Sequence, residues 1–191
     1  MAIKRAKILD DDQFKRLLKF VEISEANPIK AKLILYLSFK GGLRAKEIAN
    51  LKWYNITAAD GSISDKFELM SDITKGGKER ELPINSELKK LLEEYRLKYP
   101  KTEKVIAFQS RTKAPDHALV MWLSRLFKKA GLIGCSSHSG RRTFITKMAR
   151  EVEKFNCSLE DVRKAAGHSS LSITQRYIEP SKGLRNLINA I

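Results

Sequence analysis

The sequence predicts an α+β fold that is mainly α-helical, and three observations predict it. Apolar residues recur at helical spacing through most of the chain. One stretch, residues 55 to 84, instead carries two strand-like runs on either side of a Gly-Gly pair. The 191 residues, 42% of them hydrophobic, suit one domain with a sizeable core.

In chain order, Ile3 to Lys7 is a short basic lead-in, and Asp10, Asp11 and Asp12 precede Phe14, Leu17, Leu18 and Val21 at helical spacing. Three adjacent acids invite a metal reading, but acids ahead of an amphipathic run are what the positive end of a helix dipole favours, so a helix start is expected. Pro28 opens a second helix, Ile29 to about Lys40, with Leu33, Ile34, Leu37 and Ser38 expected to be buried, and Gly41-Gly42 ends it. A third helix begins near Arg44 and carries Glu47, Ile48 and Leu51 toward Trp53. Arg44 and Glu47 stand three apart, so the carboxylate could hold the guanidinium as a fork aimed at a phosphate; the ordinary alternative is a surface ion pair.

Asp60-Gly61 marks a turn. Phe67 to Thr74 and Lys78 to Ile84 are strand candidates, joined by a two-residue hairpin in which Gly76-Gly77 supplies positive φ; Lys75 sits at its tip and Lys78 flanks it. Asn85 to about Tyr99 is an amphipathic helix (Leu88, Leu91, Leu92, Tyr95) ended by Pro100. Val105 to Phe108 is a short apolar run and Arg111 to Pro115 a loop. Ala118 to Ala130 is helical, with Leu119, Trp122, Leu123, Leu126 and Phe127 inward, Arg125, Lys128 and Lys129 outward, and Gly131 as its stop.

Chemistry concentrates in the last fifty-odd residues. His138 and Arg141 are three apart in a stretch that runs on with Ile145, Met148, Ala149 and Val152 at helical spacing, so both can leave one end of one helix and face one small anion. A second helical run (Leu159, Val162, Ala165, Ala166) is opened by Ser158 with Asp161 three later, a near capping box, and closed by Gly167, which leaves His168 just past the helix end. Tyr177, nine residues after His168, falls on a third short helix with Leu171, Thr174 and Ile178 as its apolar side. A phenol becomes useful against a phosphate only where several cations favour the phenolate and neutralise the charge under attack. From Pro180 to Ile191, the stripe of Leu184, Leu187, Ile188 and Ile191 is too apolar for a free tail and is expected to pack on its own core or on a neighbouring protomer.

Lys and Arg number 37 against 22 acids, a formal charge of +15, which favours a polyanionic partner and points to nucleic acid. Cys135 and Cys157 have no paired spacing and no His cluster nearby, so neither a disulfide framework nor a zinc site is suggested. No stretch approaches the roughly 20 apolar residues of a membrane span, and a cytoplasmic protein with no membrane partner is expected. There is no Gly-rich loop ending in Lys-Ser/Thr and no compact set of carboxylates to seat two metals, so phosphoryl transfer would rest on a cation cluster.

At Gly42-Leu43-Arg44-Ala45-Lys46-Glu47, Lys75, His138 to Arg141, Gly167-His168 and Tyr177, the chain resembles the tyrosine recombinases, the phage integrase family, in both order and spacing. Gly41-Gly42 departs from the Thr-Gly that often precedes the Arg box, and Arg142 stands where many members carry His. The resemblance covers essentially the whole chain. It implies a tyrosine-recombinase catalytic domain over residues 1–191, with a small antiparallel β-sheet at one edge and no separate N-terminal core-binding domain.

The activity implied is site-specific DNA recombination of integrase or invertase type, through a covalent 3′-phosphotyrosyl intermediate, with no metal, no ATP and no other cofactor. By resemblance, Tyr177 is the nucleophile, Arg44 and Arg141 clamp the non-bridging oxygens, His168 is a third donor, Lys75 protonates the leaving 5′-oxygen, His138 assists, and Glu47 supports Arg44. Lys78 competes with Lys75 for the hairpin role and is a DNA-binding candidate; Arg142 is read as a DNA-phosphate contact or a structural neighbour. The partner is double-stranded DNA, with a homo-oligomer, a tetramer, assembling on it from a monomer or weakly associating form, nucleoid-associated when bound. Alternatives are a catalytically inactive DNA-binding regulator on the same fold and a DNA relaxer resembling type IB topoisomerases.

Overall fold

Among the residues that the computed structural model describes, 5–74, 77, 79–107, 114–178 and 189, the element order is α1 (Asp11–Ser24), α2 (Pro28–Phe39), α3 (Ala45–Asn50), a 3₁₀ turn (Trp53–Ile56), β1 (Lys66–Leu69), β2 (Arg80–Pro83), α4 (Ser86–Lys98), α5 (Pro115–Lys129), α6 (Ser139–Glu151), a second 3₁₀ turn (Glu153–Phe155), α7 (Leu159–Ala166) and α8 (Leu171–Gln175). The mainly helical α+β class is as predicted. The chain divides into two compact units, Met1–Phe144 and Ile145–Ile191, with the boundary inside α6.

The first unit is organised around α2. Ala31, Leu33, Ile34, Leu35, Leu37, Ser38 and Phe39 are all buried, a wider face than the four positions expected, because a helix apolar on nearly every side has to be surrounded. α1, α3 and α4 pack against it, and α5 packs on α3. Helix starts follow local chemistry. Asp10 caps α1 by accepting from the backbone N–H of Gln13 at 2.7 Å, with Asp11 and Asp12 in the first turn, so the acid triplet serves the helix N-terminus. Asn27 and Asn85 cap α2 and α4. α5 begins at Pro115, three residues before the expected start, because Pro at the first helical position lacks only an N–H that the helix would leave unpaired.

The N-terminal lead-in is docked. Lys7 N–H donates to Gly134 O at 3.0 Å, Leu9 N–H to Thr143 Oγ1 at 3.0 Å, and Leu9 is buried. The sheet pairs β1 and β2 antiparallel with Phe67 opposite Leu82 and Leu69 opposite Arg80. It is shorter than predicted: pairing stops at Leu69 opposite Arg80, and Met70–Thr74 forms a turn with Ile73 buried. The expected two-residue hairpin falls mainly on residues outside those described. Burying Ile73 takes precedence over extending the ladder. Gly77 has the positive φ expected of the glycine pair, 66°. Lys75, Gly76 and Lys78 lie outside the described residues, as does the expected C-terminal helix except for Asn189. None of the described helices is long and apolar enough to cross a membrane.

At Gly140, in the first turn of α6, a Cβ would stand 2.1 Å from Ser38 Oγ and 2.8 Å from Phe39 on α2. Gly140→Ala is therefore expected to destabilise the protein by about 1–3 kcal/mol, seen as a lowered urea midpoint. An unchanged midpoint would show that α2 and α6 do not need this close approach.

Candidate active site

The Arg44 region is built at a helix start. Gly42 takes φ of 61°, and a Cβ there would meet the Phe144 ring at 2.3 Å, so both the conformation and the space demand glycine. The turn delivers Arg44, in extended conformation, as the residue before α3. Glu47, three residues on, accepts the Arg44 backbone N–H on Oε2 at 2.8 Å and its guanidinium NH1 on Oε1 at 2.9 Å. The predicted pair is therefore present, and it is no surface pair: Glu47 is 0% exposed and the Arg44 side chain 23%. Leu43, Ile48 and Leu51 are buried around it and hold α3 in place.

Arg80, which the sequence reading passed over, completes this cluster. Its guanidinium donates in parallel to both Glu47 oxygens, NH1 to Oε1 and NH2 to Oε2, each at 2.9 Å, from a side chain 7% exposed. The available signal was strand alternation. Arg80 and Leu82 share one face of β2, and an arginine on the face that packs inward has to find an acid there. Arg141, in the first turn of α6, is 6% exposed and donates from NH1 to Gly42 O at 2.7 Å, tying itself to the turn that presents Arg44. Burial pushes the Glu47 carboxyl upward, but the hydrogen bonds and charge of Arg80, the Arg44 N–H and the charge of Arg141 outweigh it, so the carboxyl is held below its ordinary range. Two guanidinium groups thus bond one buried carboxylate, and the charge of a third acts on it.

His138 lies just before α6 and not on it. It is exposed, its N–H donates to Ser136 Oγ at 3.3 Å, and its carbonyl accepts the Arg142 N–H. Of the two groups expected at one helix end, Arg141 is thus buried and His138 open to solvent. Arg142 NH1 donates to Ala6 O at 2.5 Å. Lys75 and Lys78 lie outside the described residues.

In the second unit, α7 starts with a full capping box, Ser158 and Asp161, and ends at Gly167, whose left-handed conformation (φ 59°) turns the chain so that His168 N–H bonds Arg163 O at 3.1 Å. His168 stands just past the helix, as expected. Its carbonyl accepts from Arg163 NH1 at 2.7 Å, and Arg163 is braced by two hydrogen bonds to Glu160. The His168 ring is 6% exposed, and its Nδ1 lies 3.0 Å from the hydroxyl of the fully buried Thr174. That contact fixes the orientation of the ring.

Tyr177 is placed beside that ring, the two centroids 5.2 Å apart and the planes within 24°. It does not sit on α8. The helix ends at Gln175, and Tyr177 follows in a turn, its N–H donating to Thr174 O at 2.9 Å and its carbonyl accepting from Thr146 Oγ1 at 3.3 Å. The expected apolar side of α8 is also corrected. Leu171 and Ile178 are exposed, and Thr174, chosen as an apolar-side residue, is buried for its hydroxyl contact with His168. Arg163, Thr146 and the polar role of Thr174 had no signal in the sequence, since each depends on which residues meet after folding.

Cys135 and Cys157 are free thiols, and among the described residues no cluster of His, Cys, Asp or Glu could hold a metal ion.

Comparison with known proteins gives the family and the fold. The chain is 30% identical over 188 residues to the tyrosine recombinase XerA of Pyrococcus horikoshii, covering 95% of this chain and 60% of that protein. It is 30% identical over 185 residues to the tyrosine recombinase XerC of Bacillus pumilus, 91% of this chain and 57% of the relative. The chain thus spans a little over half the length of these curated relatives. Its fold matches the crystal structure of XerA recombinase with a TM-score of 0.72 at 21% identity, over 96% of this chain and 64% of that one. It also matches the XerH site-specific recombinase bound to its palindromic difH substrate in a post-cleavage complex, with a TM-score of 0.72 at 21% identity, over 97% and 53%. Likenesses at this identity establish the fold. The model of the phage integrase family matches residues 7–183, from the docked lead-in to beyond the stacked Tyr177, and the chain belongs to that family.

Proposed function

We propose that this chain is the catalytic part of a site-specific DNA recombinase, cutting and rejoining double-stranded DNA through a covalent phosphotyrosyl intermediate. The observation that carries the reading is Tyr177 stacked against a buried His168 whose ring is fixed by Thr174, in a chain matched to the family from 7 to 183. A phenol stacked on a fixed imidazole is oriented, and orientation is a large part of what a weak nucleophile needs.

In the proposed step the Tyr177 hydroxyl gives up its proton to water with the assistance of His138, its oxygen attacks a DNA phosphorus, the phosphorus–O5′ bond breaks, and the 5′-oxygen leaves as a hydroxyl after taking a proton. The product is a 3′-phosphotyrosyl diester, and attack on it by another 5′-hydroxyl reverses the step, so neither metal nor ATP enters. Arg44 and Arg141 neutralise the charge developing on the non-bridging oxygens, with His168 as a further donor; Lys75 supplies the proton to the 5′-oxygen and His138 assists. Glu47 positions Arg44. Lys78 contacts DNA or replaces Lys75, whereas Arg142 fastens the lead-in. Residues 1–191 act as one catalytic domain working in the cytoplasm at the nucleoid, in a homotetramer assembled on DNA. The relatives are named as recombinases, and one matched structure is a lambda integrase dimer bound to a COC′ core site, which supports strand exchange over the regulator and relaxer readings.

Selection from random duplexes would give a binding site, and a nicked version of it traps the cleaved state. Wild-type protein should then form a protease-sensitive DNA adduct that Tyr177→Phe cannot form; adduct formation by that variant would refute the nucleophile. Arg44→Ala and Arg141→Ala should each lower the trapping rate by about 10²–10³-fold, as loss of a transition-state donor does, with a much smaller effect on affinity. Wild-type rates in both would remove the clamp. The log–log dependence of affinity on salt should be steep, about 0.9 per phosphate neutralised, and a flat response in a filter-binding titration would contradict the role of the +15 charge.

A further inference from the structure

Glu47 meets four donors, two on each oxygen: Arg44 NH1 and Arg80 NH1 on Oε1, the Arg44 backbone N–H and Arg80 NH2 on Oε2. A carboxylate has about four acceptor positions, so these donors saturate it. The two arginines contribute differently. Arg44 gives one backbone and one guanidinium donor and keeps 23% of its side chain accessible, whereas Arg80 gives a bidentate fork from a side chain 7% exposed, anchored on a strand opposite buried Leu69. A wholly buried carboxylate that lost its bidentate partner would draw on Arg44 for its neutralisation, and the charge of Arg44 would then be offset before any phosphate arrived.

We propose that Arg80 is a positioning residue for the Arg44 clamp: it supplies the counter-charge that lets Glu47 stay buried and ionised, so that Glu47 fixes the geometry of Arg44 without cancelling its charge toward a DNA phosphate. This inference rests on the recombinase reading above for its catalytic half. The fork geometry carries it, since lysine cannot reproduce two parallel N–H donors in one plane.

The first arm of the test needs no DNA. The Glu47 carboxyl, followed by carbon-detected NMR against pH, should titrate below the ordinary carboxyl range in wild type and at clearly higher pH in Arg80→Gln, where burial is no longer outweighed. Identical titration in the two proteins would overturn the proposal whether or not the wild type cleaves DNA, so the counter-charge is judged separately from the recombinase reading. The second arm measures single-turnover adduct formation on the nicked duplex at saturating protein. Arg80→Gln should slow it by about 10–100-fold with less than about threefold change in DNA affinity, and Arg80→Lys should recover part of the loss. In a Glu47→Gln background, where no carboxylate is left to neutralise, adding Arg80→Gln should change the rate by less than about threefold, because residues acting through one another are not additive. A further drop of tenfold or more there would show that Arg80 acts directly or merely holds the fold. This comparison uses the two Glu47→Gln proteins and decides the question even if Arg80→Gln alone does not fold.

Discussion

A carboxylate cut off from solvent has to find its counter-charges inside the protein, and Glu47 finds them in segments far apart in the chain. Arg44 comes from the start of α3, Arg80 from β2, and the charge of Arg141 from the first turn of α6. Removing one partner of a buried pair typically costs about 3–5 kcal/mol, because a charge is left without compensation. The cluster therefore couples the sheet to the helix start that presents Arg44. Its excess of positive charge is the property that the proposed phosphate clamp would use.

The tight packing around Gly42 and Gly140 serves this cluster. Gly42 gives the turn its left-handed conformation and its carbonyl to Arg141, and the ring of Phe144 fills the space where a side chain would stand. Gly140 lets α6 approach α2 closely enough to bury Ser38 and Phe39, and so places the first turn of α6, with Arg141, against the most apolar helix of the unit. In the second unit the comparable constraint is the end of α7. Gly167 ends the helix, Arg163 holds the His168 carbonyl, and Thr174 holds the ring, so the imidazole has its backbone and its side chain fixed from different sides before Tyr177 stacks on it.

Most helices were legible because their signals are local. Asp10, Asn85 and Ser158 mark helix starts, Gly167 marks a stop, and apolar spacing marks the buried faces of α1, α4 and α5. The errors fall where local preference met a tertiary demand. The ladder is short because Ile73 is buried in the turn that follows Leu69, and α8 stops before Tyr177, whose placement is set by contacts with Thr146 and His168.

By itself the sequence determined the class of fold, the approximate positions of most helices, the basic character of the chain, and the order in which Arg44, His138, Arg141, His168 and Tyr177 occur, since each of these is a matter of composition or of spacing over a turn or two. Only the tertiary structure decided that the Arg44–Glu47 pair is buried, that Arg80 shares it, and that Thr174 holds His168. The physical reason is range. A cap or an i,i+3 pair is closed by the helix that contains it, whereas the partner of Glu47 lies 33 residues away on a strand, and neither its burial nor its need for a second cation exists until the strand and the helix have come together.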